Sequence, residues 1–139
     1  MEGRNQLVKI DNSISDKCES NFGVIQGSVL GPVLFNIYLN DFCSQLPNCK
    51  TICFADDTVL LFSNNTWNDT KLDAENGLRL AKRWFDHNLL TIHEDKTIFT
   101  CFAPTKAGFP KEQLQIKIHN CDNYNPCHCE ILKNTEFTY

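Results

Sequence analysis

The sequence predicts an α+β fold in which an antiparallel sheet with an Asp-Asp hairpin packs on two helices. Three observations lead there. Residues 51–62 set two short runs rich in β-branched and aromatic residues on either side of Asp56-Asp57, the pattern of strand, tight turn and strand. A glycine-rich stretch, 23–32, opens into apolar residues at helical spacing. Residues 67–90 carry a long amphipathic pattern that only a helix accounts for.

Taken in order, 5–10 and 13–20 read as two extended segments joined at Asp11-Asn12, a turn pair. Glu2, Asp11, Asp16 and Glu19 are scattered among polar residues there and read as solvated. Pro32, close behind Ser28 and Gly31, marks a helix start, and Leu30, Leu34, Ile37, Tyr38 and Phe42 form its stripe. Gly27 and Gly31 are expected to leave the backbone open at that start, where free N–H groups and the helix dipole favour an anion. Both faces of the next hairpin are apolar, Ile52 and Phe54 against Cys53 and Ala55, then Leu60 and Phe62 against Val59 and Leu61. It is therefore expected to be buried in a sheet covered by other elements.

Thr66-Trp67-Asn68-Asp69 resembles a capping box with Asp as the acid. Beyond it, Ala74, Leu78, Ala81, Phe85 and Leu89 recur at steps of three and four, widened by Leu80 and Trp84. Gly77 within this helix costs about 1 kcal/mol against Ala, which points to a close neighbour. Thr97 to Phe102 reads as a strand, Leu114 to His119 as an alternating strand with one apolar face, and Ile131 to Tyr139 as one or two short extended pieces.

The 139 residues suit one domain with a modest core. No segment approaches the roughly 20 apolar residues of a membrane span, and Met-Glu-Gly-Arg-Asn-Gln is too polar for a secretory signal. An intracellular setting, nuclear or cytoplasmic and reducing, follows as the expectation, so the eight cysteines are read as free thiols rather than a disulfide framework. A net charge of −4 argues against binding nucleic acid by bulk charge, leaving local contacts. Two neighbouring carboxylates at a hairpin tip repel each other, which calls for a cation, and hard divalent ions suit carboxylate oxygens. An ordinary Asp-containing turn is the plainer reading of the same pair.

The order of these pieces resembles the palm of reverse transcriptases, most closely those of non-LTR retrotransposons of the LINE or Jockey type. Arg4, Gln6 and Val8 resemble the R-x-Q-x-V segment before motif B, and residues 23–32 resemble its G-V-P-Q-G-S-x-L-G-P core. Phe54-Ala55-Asp56-Asp57 looks like the [YF]-A-D-D box of motif C. Trp84, Asn88, Leu90 and Lys96-Thr97 resemble the W-x-x-x-N-x-L…K-T pattern of motif D. The resemblance covers nearly the whole chain as a single partial domain, 1–139, with motif B at 23–42, motif C at 51–62, the motif D region at 67–102 and incomplete C-terminal strands at 114–139.

It implies a partial polymerase palm: an RNA-directed DNA polymerase that adds deoxynucleotides to a primer 3′ end by two-metal phosphoryl transfer. Asp56 would be the main metal ligand and Asp57 a secondary one, with Mg²⁺, or Mn²⁺, as the cofactor. Gln26, Gly27 and Ser28, with Phe54 and Ala55, would line the nucleotide and template side, and Lys96 would approach the triphosphate. RNA template, DNA primer and deoxynucleotides are the implied partners, with fingers and thumb segments of the same polyprotein and no membrane. Ile25 stands where the family often has Pro, and His93 where Asn is usual. The sequence contains no motif A context (F-x-D followed by A-F-D) and stops before the primer-gripping Leu-Gly, so these residues alone are expected to be inactive. The alternative is a decayed or repurposed retrotransposon remnant acting as a non-catalytic nucleic-acid-binding or interaction module. Cys121, Cys127, His128 and Cys129 have the wrong spacing for a usual zinc site and read as loop thiols.

Overall fold

The computed structural model describes residues 4–103, 110, 114–118 and 130–134. The chain divides into two compact units, Met1–Tyr38 and Leu39–Tyr139. Cys121, Cys127, His128 and Cys129, weighed for zinc, and the C-terminal 135–139 lie outside the described residues.

The first unit begins with a long interrupted hairpin. Strands β1 (Arg4–Gln6), β2 (Lys9–Ile10), β3 (Ser13–Ile14) and β4 (Cys18–Ser20) pair antiparallel as β1 with β4 and β2 with β3. The reversal falls at Asp11-Asn12, as expected, with Asp11 in the left-handed region at φ 51° that Asp tolerates better than most residues. Between the two ladders the Val8 amide donates to Ser15 Oγ, and the Ser15 amide donates to the Val8 carbonyl, both at 2.9 Å. A short helix, α1, spans Gly31–Tyr38 and does not run on to Phe42 as the stripe suggested. Asn40 and Asp41 are poor helix interiors, and Phe42 instead opens a 3₁₀ turn, Phe42–Gln45, in the second unit.

All the buried apolar side chains among the described residues belong to that second unit. It contains strands β5 (Lys50–Phe54) and β6 (Asp57–Leu61), helix α2 (Trp67–His87), a 3₁₀ turn at Glu94–Lys96, and the short strands β7 (Ile98–Phe99), β8 (Lys117–Ile118), β9 (Glu130–Ile131) and β10 (Lys133–Asn134). Its strands form separate two-stranded pairs in place of one antiparallel sheet: β5 with β6 and β8 with β9 antiparallel, β7 with β10 parallel. The strand expected over 97–102 is reduced to β7 because Thr97 is spent on the preceding turn. Its amide and hydroxyl both donate to the His93 carbonyl, at 3.1 and 2.9 Å.

Helix α2 is the spine of this unit. One arm of the expected capping box is formed, the Asp69 amide donating to Thr66 Oγ1 at 3.2 Å; the Asp69 carboxylate turns back to the Thr66 hydroxyl, which donates to Oδ2 at 2.7 Å. Its C-terminus closes as a Schellman motif, with Leu90 N–H donating to the Phe85 carbonyl at 2.9 Å and Leu89 N–H to Asp86 at 3.2 Å. Leu89 holds the left-handed position, φ 56°, that glycine usually takes, and is 84% exposed.

One stretch of the helix packs Trp84 and Phe85 around Phe42, with ring centroids 5.0 and 4.7 Å from it. Another part supports the cluster of Ile116, Ile118 and Leu132, lined by Ala74, Leu78, Ile92, Phe99 and Leu114. Glu75 Oε1 there accepts from the Lys117 amide at 3.3 Å. Gly77 has the close neighbour its cost implied: a Cβ added to it would lie 2.6 Å from Phe62 Cε1 and nearer still to Cζ.

The burial expected on both faces of the β5–β6 hairpin is not found. Pairing puts Lys50 with Leu61, Ile52 with Val59 and Phe54 with Asp57 on one face, and all six are exposed. The other face, with Thr51, Leu60 and Thr58, is partly covered, apart from an exposed Cys53.

Two stability changes follow from this packing. Gly77→Ala gains about 1 kcal/mol of helix propensity but displaces the Phe62 ring, so urea unfolding is expected to show a net loss of about 1–2 kcal/mol. Phe62→Ala in the same chain removes most of that penalty, and strict additivity of the two changes would contradict the contact. Leu89→Gly relieves a left-handed leucine and is expected to raise stability by about 0.5–1.5 kcal/mol.

Candidate functional site

The sharpest chemical feature is the tip of the β5–β6 hairpin. Phe54 pairs with Asp57, so the loop is the two-residue Ala55-Asp56. Two-residue hairpin loops need a positive φ at their first position to match strand twist, and Ala55 supplies it at φ 51°. Asp56 therefore sits in the loop itself, while Asp57 is the first residue of β6, held in register opposite Phe54. Both side chains are exposed, and neither takes part in a salt bridge among the described residues.

Four of the expected site residues thus fall together on one turn. The carboxylates are hard oxygen donors on consecutive residues, the right donor type for a divalent ion of the Mg²⁺ class. Among the described residues no third His, Cys, Asp or Glu gathers with them into a cluster able to hold a metal. The tip fits as part of a coordination shell, and by itself does not complete one.

In the first unit, Gln26, Gly27 and Ser28 share a turn ahead of α1. The Ser28 amide donates to the Ile25 carbonyl at 3.1 Å, and the Gly31 amide to the Ser28 carbonyl at 3.2 Å. Gly27 has φ 82°, with nothing within 4 Å of where a Cβ would lie, so this backbone is open. Gly31 is not open: it is buried, and a Cβ there would lie 3.1 Å from Ser28 Oγ. Its lack of a side chain serves packing, which corrects the expectation of a second bare position at the helix start.

In the sequence Arg4 has no role beyond its motif. The structure gives it one: Arg4 Nη2 donates to the carbonyls of Phe22 at 2.8 Å and Gly23 at 2.7 Å, anchoring the chain where it enters the glycine-rich turn. A basic residue 18–19 positions upstream of two main-chain carbonyls leaves no periodic trace, so only the R-x-Q-x-V resemblance could have pointed to it.

The motif D residues divide between scaffold and surface. Trp84 is in the aromatic core, and Asn88 Nδ2 donates to the Trp84 carbonyl at 2.9 Å, so the W-x-x-x-N spacing builds the helix end. Lys96 closes the Glu94–Lys96 turn, is exposed, and forms no salt bridge with either aspartate among the described residues.

Comparison with known proteins agrees with the family resemblance. Residues 4–139 match the family described as reverse transcriptase (RNA-dependent DNA polymerase). The chain is 32% identical over 112 residues to a probable RNA-directed DNA polymerase from transposon BS of Drosophila melanogaster, covering 74% of this chain and 12% of that protein. It is 34% identical over 86 residues to the Pol polyprotein of type-1 retrotransposable element R2 of Popillia japonica, 53% of this chain and 13% of the relative. A Nasonia vitripennis R1 polyprotein is 28% identical over 78 residues, 55% of this chain and 19% of the relative. The chain therefore spans less than a fifth of the length of these curated relatives. No solved structure matches it, and no helix among the described residues is long and apolar enough to cross a membrane. The chain belongs to the reverse transcriptase family of RNA-directed DNA polymerases, on the branch carried by non-LTR retrotransposons.

Proposed function

We propose that this chain is the palm segment of an RNA-directed DNA polymerase, a single partial domain contributing the catalytic hairpin. The observation that carries the reading is the Asp56-Asp57 pair on a minimal two-residue loop, exposed and without a counter-cation among the described residues. In the complete enzyme a pair of bound Mg²⁺ or Mn²⁺ ions would stabilise the attacking 3′ oxygen and the leaving phosphate oxygens. Asp56 is the principal carboxylate donor and Asp57 the secondary one, as the resemblance to the [YF]-A-D-D box implies; Asp56 lies in the loop and Asp57 opens the ladder.

The other residues act on the nucleic acid and the incoming nucleotide. Gln26, Gly27 and Ser28 offer an open turn backbone for the nucleotide and template side, and Gly27 keeps it free of side-chain bulk. Phe54 and Ala55 lie beside the carboxylates on the same hairpin. Lys96 carries an exposed ammonium, in no salt bridge among the described residues, suited to triphosphate oxygens. RNA template, DNA primer and deoxynucleotides are the substrates this chemistry serves, within a longer Pol polypeptide of the kind found in the relatives.

Two measurements test this. These 139 residues alone should extend no primer on an RNA template with Mg²⁺ or Mn²⁺, since two carboxylates do not complete the metal shell. Within a polypeptide that joins them to the remaining polymerase segments, Asp56→Asn should cut templated incorporation on the order of 10³-fold, the scale of several kcal/mol of lost charge stabilisation. Asp57→Asn should cut it less. Incorporation unchanged by Asp56→Asn would overturn the assignment.

A further inference from the structure

The turn that carries Gln26, Gly27 and Ser28 is not held by apolar packing. Phe22, Val24, Ile25, Val29 and Leu30 around it are all exposed. At its exit the Gly31 amide donates to the Ser28 carbonyl, and Ser28 Oγ lies against the bare backbone of Gly31. At its entry the corresponding hold comes from Arg4, 18–19 positions away in sequence.

That hold has a fixed geometry. Arg4 heads β1 and is paired in register with Ser20 of β4, so its backbone is set by the hairpin. Its Nε is buried, which encloses the side chain. One nitrogen, Nη2, donates to two successive carbonyls, Phe22 at 2.8 Å and Gly23 at 2.7 Å, both in the short range of charge-assisted bonds. Successive carbonyls of an extended chain point to opposite sides, so sharing one donor requires a bend. Gly23 supplies it at φ 76°, with nothing within 4 Å of where a Cβ would lie. The Ser20 hydroxyl reaches the Phe22 carbonyl only at 3.5 Å, a far weaker tie than the guanidinium.

We propose that Arg4 is a positioning residue for deoxynucleotide binding: by pinning the Phe22 and Gly23 carbonyls to the hairpin, it sets where the Gln26-Gly27-Ser28 backbone meets the incoming nucleotide. The inference rests on the polymerase reading, in which that turn faces the nucleotide. Without the tether, the entry of the turn has neither packing nor a ladder to fix it. The nucleotide must then select one of several turn positions, which weakens its apparent affinity and leaves the chemical step intact once it is seated.

The test uses the polypeptide that joins these residues to the remaining polymerase segments. Single-nucleotide incorporation on a primed RNA template is followed against deoxynucleotide concentration. Arg4→Met, similar in reach but unable to donate, is expected to raise KM roughly 10-fold with kcat held within about twofold. Arg4→Lys, whose ammonium still donates to carbonyls, should recover most of that loss. Gly23→Ala, strained at a positive φ, should raise KM in the same way and stands in if Arg4→Met folds poorly. The Mg²⁺ concentration giving half-maximal rate should be the same in all three, which separates them from Asp56→Asn, whose defect lies with the metal. KM unmoved by both Arg4→Met and Gly23→Ala, a loss confined to kcat, or Lys no better than Met overturns the role. Any of these beside the expected Asp56→Asn loss overturns this inference alone. Incorporation indifferent to Asp56→Asn removes the polymerase reading, and this inference with it.

Discussion

The second unit depends on Phe42 being held between Trp84 and Phe85. Burying one large aromatic ring contributes roughly 1.5–3 kcal/mol, and the ring pairs add a further ~0.5–1.5 kcal/mol each. That contact fixes the segment before the hairpin against the last turns of α2. The same helix, further back, carries the small cluster of Ile116, Ile118 and Leu132. Everything chemically interesting in this unit is therefore referred to one helix. That helix is closed at both ends by its own local bonds, Thr66 with Asp69 at the start and the Leu89–Leu90 turn at the finish.

A hairpin with two apolar faces and only one covered is a costly arrangement in water. The ladder itself is complete from Lys50–Leu61 to Phe54–Asp57, so the backbone is satisfied and the cost falls on Ile52, Phe54, Val59 and Leu61. Such a hairpin has little stability of its own. Its placement rests on Phe62, which follows β6 directly and presses on the bare backbone of Gly77. A larger residue in the helix would push the strand away, and a smaller one than Phe would leave it loose.

Much of this was legible in the sequence where the cause is local. The turn at Asp11-Asn12, the Thr66 cap, the extent of α2 and the close neighbour of Gly77 all follow from residue chemistry within a few positions. The reversal between the two β-branched runs was equally plain, but the structure places it at Ala55-Asp56, with Asp57 already in β6. What could not be read depends on distant partners. The parallel pairing of β7 with β10 joins residues far apart in sequence, and the shortening of α1 reflects Phe42 being claimed by Trp84 and Phe85. Gly31 was misread for the same reason: a bare backbone is open or filled according to whether a side chain such as Ser28 reaches it. For the candidate site, the residue types were visible but the hold of Arg4 on the Phe22 and Gly23 carbonyls was not.

The contact between Phe62 and Gly77 also decides which acid occupies which position. Side chains on a strand alternate sides with every residue, so sliding β6 by a single step, to pair Phe54 with Thr58, would draw Asp57 into the loop beside Asp56 and turn the whole strand over. A ring lodged in a notch that only glycine leaves has no equivalent place one residue along. Helix α2 thereby sets the phase of the hairpin, and a mutation far from either aspartate could rotate the pair out of alignment without changing a single charge.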